Sequence, residues 1–331
     1  MLKQLLAEGR PLLADGATGT NLFEVGLISG DNPEAWNATH PDRIQALHRS
    51  FADAGADIIL TNSFGGNRRR LALHGLETRV RELNRLAARN ARAVADSAGR
   101  RIVVAGSVGP TGDLLAPLGP LTEDEAVEIF IEQIEGLREG GADVAWIETM
   151  SAPEEIRAAA RAAAQVDMPF VATASFDTAG RTMMGLAPDA YAELVESFEP
   201  RPLAFGANCG VGAADLLVSI LGMTAHHRDA IVVAKANAGV PRWHGAHIHY
   251  SGTPDLMAIY ADLAIDAGAR IIGGCCGTKP SHLAAMRRAL DAHRPGERPD
   301  LARIVAALGP LASPPAAEPP PRSRRRDREG A

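Results

Sequence analysis

An α/β fold, a closed (β/α)8 barrel, is what this sequence predicts, and three observations predict it. Apolar runs of strand length recur along the chain, each followed by a Gly-, Asn- or Ser-rich turn and then a segment of helical periodicity. Eight such units fit within residues 1–308, which suits a closed barrel of about 250 residues or more. A doubly wound sheet, the nearest competitor, lacks support because no GxGxxG follows the first strand.

The expected strands begin near Pro11 (PLLADG), Asp57 (DIILTNSF), Arg101 (RIVVAGS), Asp143 (DVAWIET), Pro169 (PFVATASF), Leu203 (LAFGANC), Ala230 (AIVVAKANAG) and Arg270 (RIIGGCCG). They are continuously apolar, as strands covered by helices must be. Between them, segments such as DRIQALHRSFADAGA and TEDEAVEIFIEQIEGLREGGA repeat apolar residues at three and four and end in glycine, as helix C-caps do. Residues 1–308 therefore read as one barrel. Residues 309–331, rich in proline and arginine with no apolar periodicity, read as a disordered, solvated tail.

Composition narrows the function. The 331 residues carry 34 Lys and Arg against 40 Asp and Glu, a formal net charge of −6, which gives no global attraction to nucleic acid or anionic lipid. No apolar run approaches the roughly 18 residues of a spanning helix, and the N-terminus lacks the features of a secretory signal. A cytoplasmic protein with a small-molecule partner is the expectation.

Barrel enzymes place their chemistry in the loops after the strands. At those positions stand Asp15 to Thr20, Thr61 to Asn67, Ser107, Glu148 and Thr149, Ser175 and Asp177, Asn208 and Cys209, Lys235 and Asn237, and Cys275 with Cys276. All 3 cysteines of the chain are among them. Strands six and eight are next-but-one neighbours in a closed barrel, so the three thiols can meet at one rim. Three thiolates suit a tetrahedral zinc ion with one position left open, the pattern of catalytic zinc. Free cysteine also serves as a small buried hydrophobe, but these three sit beside glycine at strand ends. Zinc held this way is a good holder of a fourth, substrate thiolate, so the simplest chemistry is alkyl transfer to sulfur. A zinc hydrolase would normally use His and carboxylate ligands instead.

At these residues the chain resembles the zinc-dependent homocysteine S-methyltransferase family. The matching pieces are DGATGTNL at Asp15, TNSFGGN at Thr61, GSVGPTG at Gly106, WIETMS at Trp146, GANCG at Gly206, KANAG at Lys235 and GGCCGT at Gly273. The resemblance implies that Cys209, Cys275 and Cys276 ligate Zn2+ and that homocysteine sulfur takes the fourth place, making these cysteines catalytic. It also implies that Asp15 and Glu148 hold the amino group, while backbone N–H groups at Gly16, Ala17 and Thr18 take the carboxylate. Asn208 and Asn237 complete the implied substrate-binding set, and Asn237 resembles a residue that can occupy the open zinc position before substrate arrives.

The run of motifs looks most like bacterial betaine-homocysteine methyltransferases, so glycine betaine is the expected donor, giving methionine and dimethylglycine. The aromatic cage of the animal enzymes does not line up, because Gly65 and Thr149 stand where its rings would be. A replacement cage for a quaternary ammonium would draw on Trp36, Phe64, Trp146, Trp243 and Tyr250. The competing donors are S-methylmethionine, dimethylsulfoniopropionate and a methylcorrinoid protein, the last as a separate partner. A zinc- or thiol-sensing redox protein without turnover is the reading from another class. His244, His247 and His249 have loop spacing and read as surface or lid residues. A homo-oligomer is left open.

Overall fold

The computed structural model describes residues 1–244 and 247–314, and of residues 241–244 and 247–249 only the backbone. The apolar runs become eight parallel strands: β1 (Leu12–Leu13), β2 (Ile58–Leu60), β3 (Val103–Val108), β4 (Val144–Met150), β5 (Phe170–Ala174), β6 (Ala204–Cys209), β7 (Val232–Ala236) and β8 (Ala269–Gly274). Their order in the sheet is β1-β8-β7-β6-β5-β4-β3-β2. A parallel bridge between Ala14 and Ile58 brings its two ends together, supported by Asp57 N–H donating to Leu13 O at 2.6 Å and Asp15 N–H to Ile58 O at 3.0 Å. The result is the expected (β/α)8 barrel.

Local chemistry sets where the surrounding helices start. Proline occupies the first turn of the helices Pro41–Asp53, Pro153–Gln165, Pro188–Glu196, Pro254–Asp266 and Pro280–Ala292, where its missing N–H costs no helical bond. Thr122 and Glu125 form a reciprocal capping box at the start of Glu123–Glu139.

Side chains alternate along each strand. Leu12, Ile58, Val103, Val144, Val171, Ala204, Val233 and Ile271 fill the lower interior, with Leu60, Ala105 and Trp146 in the same cluster. Their neighbours Ile59, Val104, Ala145, Ala172, Ala207, Ala234 and Ile272 face the helices in the larger outer cluster. An N-terminal helix, Leu2–Ala7, was not evident from the sequence. It inserts Leu2, Leu5 and Leu6 into the inner cluster and seals the lower end of the barrel. Leu5 is 1% exposed, so Leu5→Ala is expected to cost about 2–5 kcal/mol through lost burial and a cavity, measurable by chemical denaturation; a loss below about 0.5 kcal/mol would show that the plug is not packed.

Two further features depart from the expectation. The histidine segment after β7 is an antiparallel hairpin, Pro241–His244 paired with His247–Tyr250, rather than a plain loop. The side chains of Trp243, His244, His247 and His249 lie outside the described residues. After the helix Leu301–Leu308, the chain stays on the barrel: Leu311 packs against the outer core, and Ala312 and Ser313 N–H groups donate to the Asp215 carboxylate at 3.0 and 2.8 Å. Residues 315–331 lie outside the described residues. No helix among the described residues is long and apolar enough to cross a membrane.

Candidate metal centre and substrate pocket

The alternation that fills the lower barrel places polar side chains at its top. Continuing inward at every second position, β3 reaches Ser107, β4 Glu148, β5 Thr173, β6 Asn208 and β7 Lys235, all buried. The cysteines stand at the rim above them. Cys209 ends β6, while Cys275 and Cys276 follow β8 directly.

The three Sγ atoms lie within 4.8 Å of one another, and Cys209 Sγ is 4.0 Å from Cys276 Sγ. Three sulfurs bound tetrahedrally at about 2.3 Å would be roughly 3.8 Å apart, so the observed spacing needs only a small contraction. An all-sulfur donor set with a rim position open to the mouth fits zinc. Without a cation the thiols hinder one another's ionisation. Hydrogen bonding with Cys275 favours the Cys209 thiolate, but Cys276 and burial outweigh it, and the thiol is pushed up to about 12. For Cys276 the bond to Cys209 helps, yet Cys275 and burial also push it up to about 12. Tyr250, half-buried at the base of the hairpin, is raised by burial and then by the nearby Cys276.

Two asparagines hold this cluster. Asn208 Oδ1 accepts from Thr149 N–H at 2.8 Å and Thr173 Oγ1 at 2.7 Å, while its Nδ2 donates to Thr149 Oγ1 at 2.7 Å and to Cys275 Sγ at 3.9 Å. Asn237 Nδ2 donates to Gly210 O at 2.7 Å, and its Oδ1 accepts from Cys276 N–H at 3.0 Å. Its amide thus joins the turn after Cys209 to the turn carrying Cys276. Asn237→Ala is expected to weaken zinc binding by about 10–100-fold, read by competition with a chromophoric chelator; unchanged affinity would remove its holding role.

Below the sulfurs lies a buried charge cluster. Lys235 Nζ is 2.7 Å from Asp15 Oδ1, with side-chain exposures of 2% and 0%, and Leu60 N–H donates to Asp15 Oδ2 at 2.7 Å. Ser107 Oγ donates to Glu148 Oε1 at 2.5 Å. Burial raises the Glu148 pKa, opposed by Lys235 and the Ser107 hydroxyl. For Lys235, burial is outweighed by the two carboxylates, so the ammonium form is favoured. Gly273 makes room for this lysine, since a Cβ there would sit 3.1 Å from Lys235 Cγ and 2.9 Å from Ala14 Cβ. Sequence reasoning assigned Lys235 no role; the signal was an ammonium inside the apolar run AIVVAKANAG.

The Asp15–Thr18 turn follows. Ala17 N–H is taken by Thr278 O at 3.2 Å, whereas no partner among the described residues is found for the N–H groups of Gly16 and Thr18. A Cβ at Gly16 would lie 2.7 Å from Thr278 O, so only glycine fits. Beside the rim, a cleft of about 510 Å3 is lined by Leu114, Leu118, Thr149, Glu155, Asp177 and Met183, among others.

Comparison with known proteins bears on this geometry. A model of the homocysteine S-methyltransferase family matches residues 12–290, which contain every site residue named above. The chain belongs to the homocysteine S-methyltransferase family. Among solved structures it is similar to the Escherichia coli homocysteine methyltransferase MmuM in its metallated form, with TM-score 0.71 and 26% identity, covering 87% of this chain and 99% of that one. The oxidized form of the same protein gives TM-score 0.68 and 27% identity over 87% and 98%. Methionine synthase of Mycobacterium tuberculosis is 32% identical over 301 residues, 85% of this chain and 25% of that protein. Methionine synthase of Mycobacterium leprae is 32% identical over 322 residues, 90% and 26%. The chain thus spans about a quarter of the length of these two curated relatives.

Within a homocysteine S-methyltransferase the expected aromatic cage is thinly represented. Trp36 is buried, with the His40 ring 4.5 Å from its own and Arg43 5.1 Å over its face. Trp146 lies inside the barrel with Lys235 Nζ 6.0 Å over its ring. Phe64 and Tyr250 are the candidates with partly open rings among the described residues.

Proposed function

We propose that this homocysteine S-methyltransferase is zinc-dependent and converts homocysteine to methionine by methyl transfer to its sulfur. The observation that carries the reading is the convergence of three cysteine sulfurs within 4.8 Å directly above a buried carboxylate cluster and beside a turn with open N–H groups. When bound, zinc supplies a Lewis acid that holds the substrate sulfur ionised near neutral pH. Glu148, oriented by the Ser107 hydroxyl, presents Oε2 to the amino group. Gly16 and Thr18 offer N–H groups to the carboxylate. Asn208 and Asn237 keep the sulfur ligands in place, and the apolar barrel interior excludes water from beneath. Three unpaired thiols fit a reducing, cytoplasmic setting.

Glycine betaine is the small donor to which the motifs point. Transfer from it would extinguish charge, as thiolate meets quaternary ammonium and leaves neutral amine, and the dry pocket favours such a step. The cleft beside Thr149 offers the space, and Phe64 and Tyr250, which are not part of its lining, are the partly open rings on segments at the same mouth. One observation favours a second reading, a methylcorrinoid protein as donor. Phe23, Ile28, Phe64, Leu114, Leu118 and Met183 are all exposed on segments that follow strands at this one mouth, and a docked protein would cover them.

The zinc-loaded protein with homocysteine, offered glycine betaine, S-methylmethionine, dimethylsulfoniopropionate or methylcobalamin separately, decides by mass spectrometry of methionine. Methionine with matching dimethylglycine establishes betaine, and methionine from methylcobalamin alone supports the corrinoid donor. No methionine from any donor would favour the redox-sensing alternative.

A further inference from the structure

The resemblance gives the amino group of homocysteine to two carboxylates, Asp15 and Glu148, but their surroundings differ. Asp15 is fully buried, and each of its carboxylate oxygens already has a donor at 2.7 Å: Lys235 Nζ on Oδ1 and Leu60 N–H on Oδ2. Glu148 is bonded only through Oε1, to Ser107, and is 7% exposed; no partner among the described residues meets its Oε2. Two carboxylates and one ammonium leave one negative charge, which matches one substrate ammonium.

We infer that Lys235, rather than the substrate, is the cation partner of Asp15, and that Glu148 alone contacts the ammonium of homocysteine. The inference rests on the homocysteine reading above and deepens it. Lys235 is a positioning residue. It ties β7 to the first residue of the carboxylate-binding turn, and Asp15 O accepts from Gly274 N–H at 3.0 Å, immediately before Cys275. One buried ion pair therefore sets the turn, the seventh strand and the double-cysteine turn in a common register.

The charge count yields a test that a direct Asp15 contact would fail. In Asp15→Asn the lysine is released to pair with Glu148, so homocysteine binding weakens roughly tenfold or more. Removing the lysine as well, in Asp15→Asn/Lys235→Met, frees Glu148 and restores affinity to within about threefold of the wild type, methionine being close to lysine in volume. Glu148→Gln loses roughly tenfold or more with Lys235 or Met at position 235. The readout is the homocysteine dissociation constant of the zinc-loaded full chain by titration calorimetry, with zinc content measured for every variant. Zinc-loaded double-variant protein that stays as weak as Asp15→Asn overturns the inference.

If the double variant does not fold or loses zinc, a crystal structure of the zinc-loaded wild type with homocysteine decides. The expected result is the substrate nitrogen within about 3.2 Å of Glu148 Oε2 and Lys235 still on Asp15. Substrate nitrogen on Asp15, with Lys235 displaced, overturns it. A wild type that binds no homocysteine overturns the homocysteine reading together with this one, whereas binding without restoration overturns this one alone.

Discussion

Cys276→Ala protein is expected to retain no zinc and to lose methionine formation by about a thousandfold or more, since a metal centre supplies several kcal/mol of barrier lowering. The reason is geometric. Cys209 Sγ and Cys276 Sγ are 4.0 Å apart, and without Cys276 two sulfurs remain, one at the end of β6 and one just after β8, with no third to close the tetrahedron. Alanine is also what a small buried hydrophobe would tolerate, so the variant should keep its fold. Metal analysis, circular dichroism and activity on one preparation separate the cases. Full activity in metal-depleted Cys276→Ala would sink the zinc-thiolate mechanism, whereas lost activity with zinc retained would move the effect from metal binding to the turn.

The second large effect is on pH. Cys209 and Cys276 are pushed up to about 12 in the metal-free protein, and Cys275 is also raised, by hydrogen bonding to Cys209 and by burial. At neutral pH all three are therefore protonated, and binding a divalent ion as a tris-thiolate must release protons. The sign follows: affinity rises with pH and falls on acidification, by up to about a thousandfold per unit if three protons leave together. Competition with a chelator at about pH 6.5 and about pH 7.5, with proton release followed in weakly buffered solution, measures the slope. A flat profile would mean that the thiols are already ionised or do not bind the ion.

Much of this was legible in the sequence because the signal was local. Eight apolar runs became eight strands whose starts fall within two residues of those expected, from Leu12 to Ala269. Cys209 and the Cys275–Cys276 pair could be brought together by counting strands alone. What was not legible depends on long-range closure. Lys235 and Asp15 are 220 positions apart, and their pairing exists only because β7 and β1 flank β8. Asn208 and Asn237 look like polar contacts for a ligand, yet their amides are spent on Thr149, Thr173, Gly210 and Cys276. Ala17 belongs to the right turn, but its N–H is claimed by Thr278. The leucines of LKQLLA form a pattern too short to announce that they would stopper a barrel.

Cys209 and Thr149 have φ angles of +62° and +60°, two of the four non-glycine residues of the described chain in the left-handed region. Such residues each cost about 1–3 kcal/mol and persist only where their surroundings enforce them. Both lie at the metal rim, joined through Asn208. The upper end of this barrel therefore stores backbone strain at the very positions that carry and brace a sulfur ligand. Zinc acts there as a fastener as well as a reagent, because anything bound only by the folded state adds to its stability. Metal-free protein should yield first at the mouth, while the floor closed by Leu2, Leu5 and Leu6 stays shut.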